Sequence, residues 1–199
     1  MPTGVAIRDA RRQLFDAAER VLLRDGPSAL TSRAVTTEAG VAKGVMHRHF
    51  ADFDAFLAEF VLDRAERMDP LVAALPGSAG TGTVAGNLAA ALTAVFSSAA
   101  VAIVALVDFR DQLRARLRES WPAGVPVLTE AMELVASYLA AEQDLGRITA
   151  GADIETLSAV LMGAGHRLFA DRTTAPPGPE AVARMVTAVI GSVVTDPAR

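Results

Sequence analysis

Three histidines, no cysteine and a group of cations between residues 43 and 49 limit the chemistry open to this 199-residue chain. Without cysteine there is no disulfide, thiolate metal site or sulfur nucleophile. His47 and His49 are two positions apart, about 200° around a helix of 3.6 residues per turn, so they do not form a metal pair. No Gly-x-Ser-x-Gly elbow offers a serine nucleophile. Lys43 and His47 are four apart, as are Gly44 and Arg48, and the four share one helix face. Cations beside a glycine suit contact with phosphate, because glycine lets a backbone approach closely.

Such a face needs a brace. Met46 and Phe50 lie on the opposite, inward side of the same helix, and Ala39-Gly40-Val41 supplies a tight turn into it. A short helix before the turn, capped by Thr31 or Ser32, runs to Ala39. Upstream, Ile7, Ala10, Leu14, Ala17, Ala18, Val21 and Leu22 mark one face of a first helix over about 8–24, ended by Gly26-Pro27. Downstream, Asp52 caps a long fourth helix with Phe53, Phe56, Leu57, Phe60, Val61 and Met68 on its buried face, ending before Pro76-Gly77.

The net charge of −4 is unevenly spread. Residues 1–50 hold eight Lys and Arg against five acids, whereas the remainder holds 11 against 18. A basic head on an acidic body fits a nucleic-acid reader joined to a domain with another task. Beyond a Gly/Ser/Thr-rich linker, helices are expected at about 84–97, 100–120, 126–145, 153–170 and 179–194. The breaks between them are 121–124, 146–151 and 173–178, no stretch alternates with period 2, and no internal repeat appears. Residues 70–107 carry no charge. Asn87, Thr93, Ser97 and Ser98 interrupt that run and alanine dominates it, which reads as two core helices broken near Ser98-Ala99 rather than a membrane span. No secretory signal is visible at the start, and the protein is expected in the cytoplasm.

The run from Thr31 to Phe50 resembles the signature of the tetracycline-repressor (TetR) family, T-x-x-x-I-A-x-x-A-G-V-S-x-G-x-L-Y-x-H-F. The resemblance covers about residues 8–63. Four positions depart from it: Thr36 stands for the alanine, Ala42 for the serine, His47 for the tyrosine, and Phe53 for the lysine that usually opens the fourth helix. The resemblance implies an all-α, nine-helix architecture. A three-helix helix-turn-helix DNA-binding domain over 8–65 would precede a ligand-binding and dimerisation domain over 66–199.

By the same resemblance, Thr31, Ser32 and Arg33 would touch phosphates. Lys43, Gly44, His47 and Arg48 would face the groove, with His49 near the DNA backbone. The implied function is a transcriptional regulator, a repressor released from a pseudo-palindromic operator in double-stranded DNA by a small apolar or amphipathic ligand. It needs no cofactor and no membrane. The ligand pocket is expected among Asn87, Thr93, Phe96, Asp108, Phe109, Arg110, Trp121, Met132, Tyr138 and His166, as bulky walls with isolated polar groups. Apolar stripes at Ile154, Leu157, Leu161, Ala164 and Leu168, and at Val182, Met185, Val186, Val189, Ile190 and Val193, suit either monomer core or a homodimer seam. The alternatives are a ligand- or lipid-binding all-α protein that has lost DNA binding, and a small all-α enzyme.

Overall fold

A computed structural model describes residues 4–67, 70–97, 99–122, 124–170 and 175–195, with backbone alone for residues 4–9 and 71. Among these residues the chain is all-helical, with eleven α-helical segments and one isolated antiparallel bridge, Ile148 to Val194. The segments are α1 Gly4–Asp25, α2 Ser32–Glu38, α3 Gly44–His49, α4 Phe53–Glu66, α5 Pro70–Ala73 and α6 Val84–Ser97. They continue with α7 Ala100–Phe109, α8 Asp111–Ser120, α9 Pro126–Asp144, α10 Ile154–Phe169 and α11 Pro179–Ile190. No single described helix is long and apolar enough to cross a membrane.

Two corrections to the nine-helix expectation have physical causes. The expected fourth helix stops at Glu66, and Pro70 opens a separate four-residue turn of helix, because proline has no N–H to continue the ladder. The expected helix over 100–120 breaks at Arg110, whose φ of −126° and ψ of 98° are extended. Met68, Ser98, Ala123, Thr173 and Thr174, which the sequence reading placed on a helix face or at breaks, lie outside the described residues.

The chain forms two compact units, each assembled from separate stretches of sequence. Residues 1–66 and 102–127 make the first, and residues 67–101 and 128–199 the second. In the first, α1 packs on α2 and α3, and α4 packs on α8. Leu14, Phe15, Ala17, Ala18, Val21 and Leu22 recur at helical spacing and are buried. Gly26, at φ 81°, ends α1, and its N–H reaches the Leu22 carbonyl at 3.1 Å. Phe56 and Phe60 of α4 are fully buried, each stabilising the core by roughly 1.5–3 kcal/mol.

In the second unit α6 is the hub, packing on α5, α10 and α11. Leu161, Val182, Val186 and Ile190 are buried within the chain, so these members of the two apolar stripes are protomer core. Phe96 of α6 lies on α10 where Gly165 leaves room for it, and its ring stacks 5.7 Å from Phe169. Asp153 caps α10, accepting from the Thr156 N–H at 3.0 Å, and the Ser158 hydroxyl donates to the Met132 carbonyl of α9 at 2.8 Å. After α9 the chain returns beside its own end. The Thr149 N–H donates to the Val193 carbonyl at 2.9 Å, and the Thr195 N–H to the Arg147 carbonyl at 3.0 Å.

A Cβ on residue 165 would stand 2.3 Å from the Phe96 ring. Gly165→Ala is therefore expected to destabilise the protein by about 1–3 kcal/mol through overpacking. Thermal unfolding checks this, and adding Phe96→Leu should return part of the loss.

Candidate nucleic-acid interface

Thr31, rather than Ser32, caps α2: its Oγ1 accepts from the Ala34 N–H at 3.1 Å. Gly40, at φ 66°, turns the chain, with the Val41 N–H bonded to the Thr36 carbonyl at 3.0 Å. A left-handed residue there favours glycine, since other L-residues pay a steric penalty. Thr36 stands where space is tight, 4% exposed, and solves its hydroxyl locally. The Oγ1 donates toward the Ser32 and Arg33 carbonyls, at 2.9 and 3.2 Å, one turn back.

The six-residue α3 is held by its inward side chains. Met46 is buried with its sulfur 3.2 Å from the Ser32 hydroxyl. Phe50, just past the helix end, packs 5.7 Å from Phe15 and edge-on to Phe56 at 5.0 Å. The Arg11 guanidinium covers the Phe50 ring at 4.5 Å, donates to the His49 carbonyl at 3.2 Å, and pairs with Glu59. From α1, Gln13 donates to the Ala39 carbonyl at 2.8 Å, bracing the turn. Val41, read as inward, is half-buried.

Thr31, Arg33, Lys43, Gly44, His47 and Arg48 are exposed, while Ser32 and His49 are half-buried. The α2–turn–α3 hairpin brings these eight together on one unit. Around them carboxylates are occupied by arginines. Glu38 receives Arg20 at 2.8 Å and Arg24 at 2.9 Å, and those bonds, Arg20 first, hold its carboxyl below the usual range. Asp52 caps α4 through the Ala55 N–H at 2.7 Å and meets Arg116 of α8 at 3.0 Å; the Ala55 bond, then Arg116, lowers its pKa. Arg11, Gln13 and the Arg20–Arg24–Glu38 group were not singled out from sequence. Their partners lie 14 to 48 positions away, and no local spacing marks them.

The ten expected pocket residues divide between the units. Asp108, Phe109, Arg110 and Trp121 belong to the first, and Asn87, Thr93, Phe96, Met132, Tyr138 and His166 to the second. Asp108 is exposed and Phe109 is 81% exposed, so neither is an enclosed wall. Two pairs do meet: Asn87 Nδ2 donates to the Tyr138 oxygen at 3.1 Å, and Phe96 lies 6.3 Å from the His166 ring. Tyr138 is fully buried, and burial first, then the Glu142 carboxylate, pushes its phenol well above the ordinary range. Thr93 returns its hydroxyl to the Ala89 carbonyl at 2.7 Å. An open groove of about 470 Å³, lined by Ala85, Thr187, Ile190, Gly191 and Val194, involves none of the ten residues expected to form the pocket.

Residues 14–60 match the family model of bacterial regulatory proteins of the tetR family. That match runs from within α1 to within α4 and so spans the α2–turn–α3 region. No curated protein sequence matches it. Solved structures share the fold over nearly the whole length of both chains. A protein described as a TetR-family transcriptional regulator from Mesorhizobium loti MAFF303099 is 15% identical, with TM-score 0.72 over 94% of this chain and 95% of that one. A TetR-family member from Streptomyces coelicolor A3 is 24% identical, with TM-score 0.65 over 92% and 98%. The multidrug binding protein EbrR, complexed with imidazole, is 24% identical, with TM-score 0.59 over 94% and 96%. The family model over 14–60 and the shared fold together support a DNA-binding transcriptional regulator of the tetR type.

Glu38 and Asp52 carry an acid prediction. A carboxylate whose pKa is depressed by folding contributes stability above its unfolded pKa and loses it as pH falls through the folded value. Glu38→Gln should be less stable at neutral pH, and its thermal midpoint should fall less than that of the wild type between about pH 7 and about pH 3.

Proposed function

We propose that the protein is a cytoplasmic repressor that binds a pseudo-palindromic operator in double-stranded DNA as a homodimer. A small apolar or amphipathic ligand, bound by the second unit, releases it. The reading divides the chain into a DNA-binding part over 8–65 and a ligand-binding and dimerisation part over 66–199, with 102–127 also packing in the DNA-binding unit. The observation that carries it is the exposed face of α3. Lys43, Gly44, His47 and Arg48 point to solvent while Met46 is buried, as a helix entering the major groove requires. Thr31, Ser32 and Arg33 at the start of α2, and His49 at the end of α3, would meet phosphates on either side.

For the ligand, Asn87, Phe96, Tyr138 and His166 supply the mixture of apolar surface and isolated polar groups that small-molecule sites use. The resemblance in fold to a multidrug binding protein supports the ligand class. Release demands that the ligand favour a state in which the two readers no longer match their half-sites. Regulators of this family are in general not enzymes. For the dimer, α10 leaves Val160 46% exposed beside the exposed small residues Ala159 and Gly163, and α11 exposes Ala183 and Ala188. Small residues let helices from two protomers approach closely.

Lys43→Ala and Arg48→Ala should each weaken binding to duplex DNA and reduce the salt slope of log K by about one, since each phosphate contact releases roughly one counterion. Thermal midpoints should stay near that of the wild type, because both side chains are exposed. Unchanged slopes in both variants would remove α3 from the interface and favour a regulator fold that binds ligand only. Light scattering is expected to show a dimer at micromolar concentration, and Val160→Glu to shift it toward monomer. A wild-type monomer overturns the homodimer.

A further inference from the structure

Arg110 does a task that neither its place in the sequence nor the expected ligand pocket describes. It sits in extended conformation between α7 and α8, and its side chain reaches two distant stretches of the first unit. One guanidinium nitrogen, Nη2, donates to the Leu30 carbonyl at 3.1 Å. The other, Nη1, meets the Asp54 carboxylate at 3.2 Å. The plane of the group lies over the Phe53 ring, 5.3 Å from its centroid. These three partners are the opening residues of α4 and the residue just before the cap of α2.

The consequence for α2 follows from covalent geometry. Leu30 is fully buried, and its carbonyl belongs to the peptide plane that carries the Thr31 N–H. A donor fixed on that oxygen fixes the plane, and with it the Thr31 backbone from which the side chain caps α2 at Ala34. The same cation fixes Asp54 and Phe53, one turn after the reader helix has ended. Arginine suits this role because its planar fork meets two acceptors at once and stacks on an aromatic face; a lysine ammonium is a single point charge.

We propose that Arg110 is a positioning residue for DNA binding: it ties the start of α2 to the start of α4, and so sets the orientation of Thr31, Ser32 and Arg33 toward phosphate without touching DNA itself. This rests on the reading of α2 and α3 as the DNA interface. A group held in place before association loses less freedom on binding, so the tie raises affinity without adding a contact.

The test uses the full chain, free and with a mixed-sequence 30-base-pair duplex at low salt, for Arg110→Ala and Arg110→Lys. In the free protein, hydrogen exchange at the Ala34 and Val35 amides should quicken about tenfold in Arg110→Ala, while α11 amides keep their rates. Duplex binding by fluorescence anisotropy should weaken about tenfold, about 1.4 kcal/mol, with Arg110→Lys recovering only part. In double-mutant cycles, Arg110→Ala should couple to Arg33→Ala on α2 and be additive with Lys43→Ala on α3. A general loss of structure would weaken binding in both cycles alike, without that selectivity. If the wild type fails to bind the duplex, the DNA reading itself falls. If the wild type binds and Arg110→Ala binds equally well, or is additive with Arg33→Ala, only the assignment of Arg110 is overturned. Should Arg110→Ala not fold, the exchange and cycle measurements on Arg110→Lys decide, and wild-type values there overturn the assignment.

Discussion

A helix of six residues cannot hold itself in water, so the position of α3 depends on what receives Phe50. That ring closes a cluster with Phe15 of α1 and Phe56 of α4, and Phe60 continues it, 6.1 Å from Phe15. The Arg11 guanidinium caps the cluster and takes the His49 carbonyl, one of the acceptors that a helix end leaves open. Because Met46 and Phe50 are fixed inside, the residues offset from them on the helix have no choice but to face outward. The cationic face of α3 is thus a by-product of aromatic packing. Its charges add little to the fold and remain available for a partner.

The two units solve their polar problems differently. In the first, arginines on α1, on α8 and at the α7–α8 break reach carboxylates and carbonyls of α2, α3 and α4. Most of those pairs are partly exposed, where each is worth little singly, and their effect is to fix geometry. In the second, the carboxylate of Glu142 is fully buried. Its Oε2 accepts from the Gly80 N–H at 3.3 Å and faces Arg147 at 3.4 Å, while Arg147 also donates to the Gly82 carbonyl at 2.7 Å. Asn87 and Tyr138 adjoin this group. One buried charge therefore orders the loop before α6 and the loop after α9 together, since leaving it unpaired would be expensive.

What the sequence made legible was local. The turn at Gly40 and the caps at Thr31 and Asp52 involve partners within five positions, where residue type and spacing carry the information. The outward set on α3 followed from the same periodicity, whereas Thr31, Ser32 and Arg33 came from the resemblance to a family signature. The break at Arg110 was not legible, because no glycine or proline marks it and the bonds that accompany it reach 56 and 80 positions back. The apolar stripes of α10 and α11 were visible, but periodicity shows that a face is buried and not by which chain; both helices pack on α6 and on each other. Arg110 was read as a pocket group because an isolated cation after an apolar run looks the same in either role.

The pairing of residues 147–149 with 193–195 has a consequence for biosynthesis. A ribosome releases the chain from its beginning, and the first unit already needs residues 102–127 before it can close. The second needs α11 against α6 and the bridge at Val194. Its core therefore stays open until α11 has been made, with the apolar side chains of α6 waiting for a helix that follows them at a distance in the chain. For that interval the nascent protein displays an uncharged, apolar segment to the cell, and chaperone demand should be concentrated there.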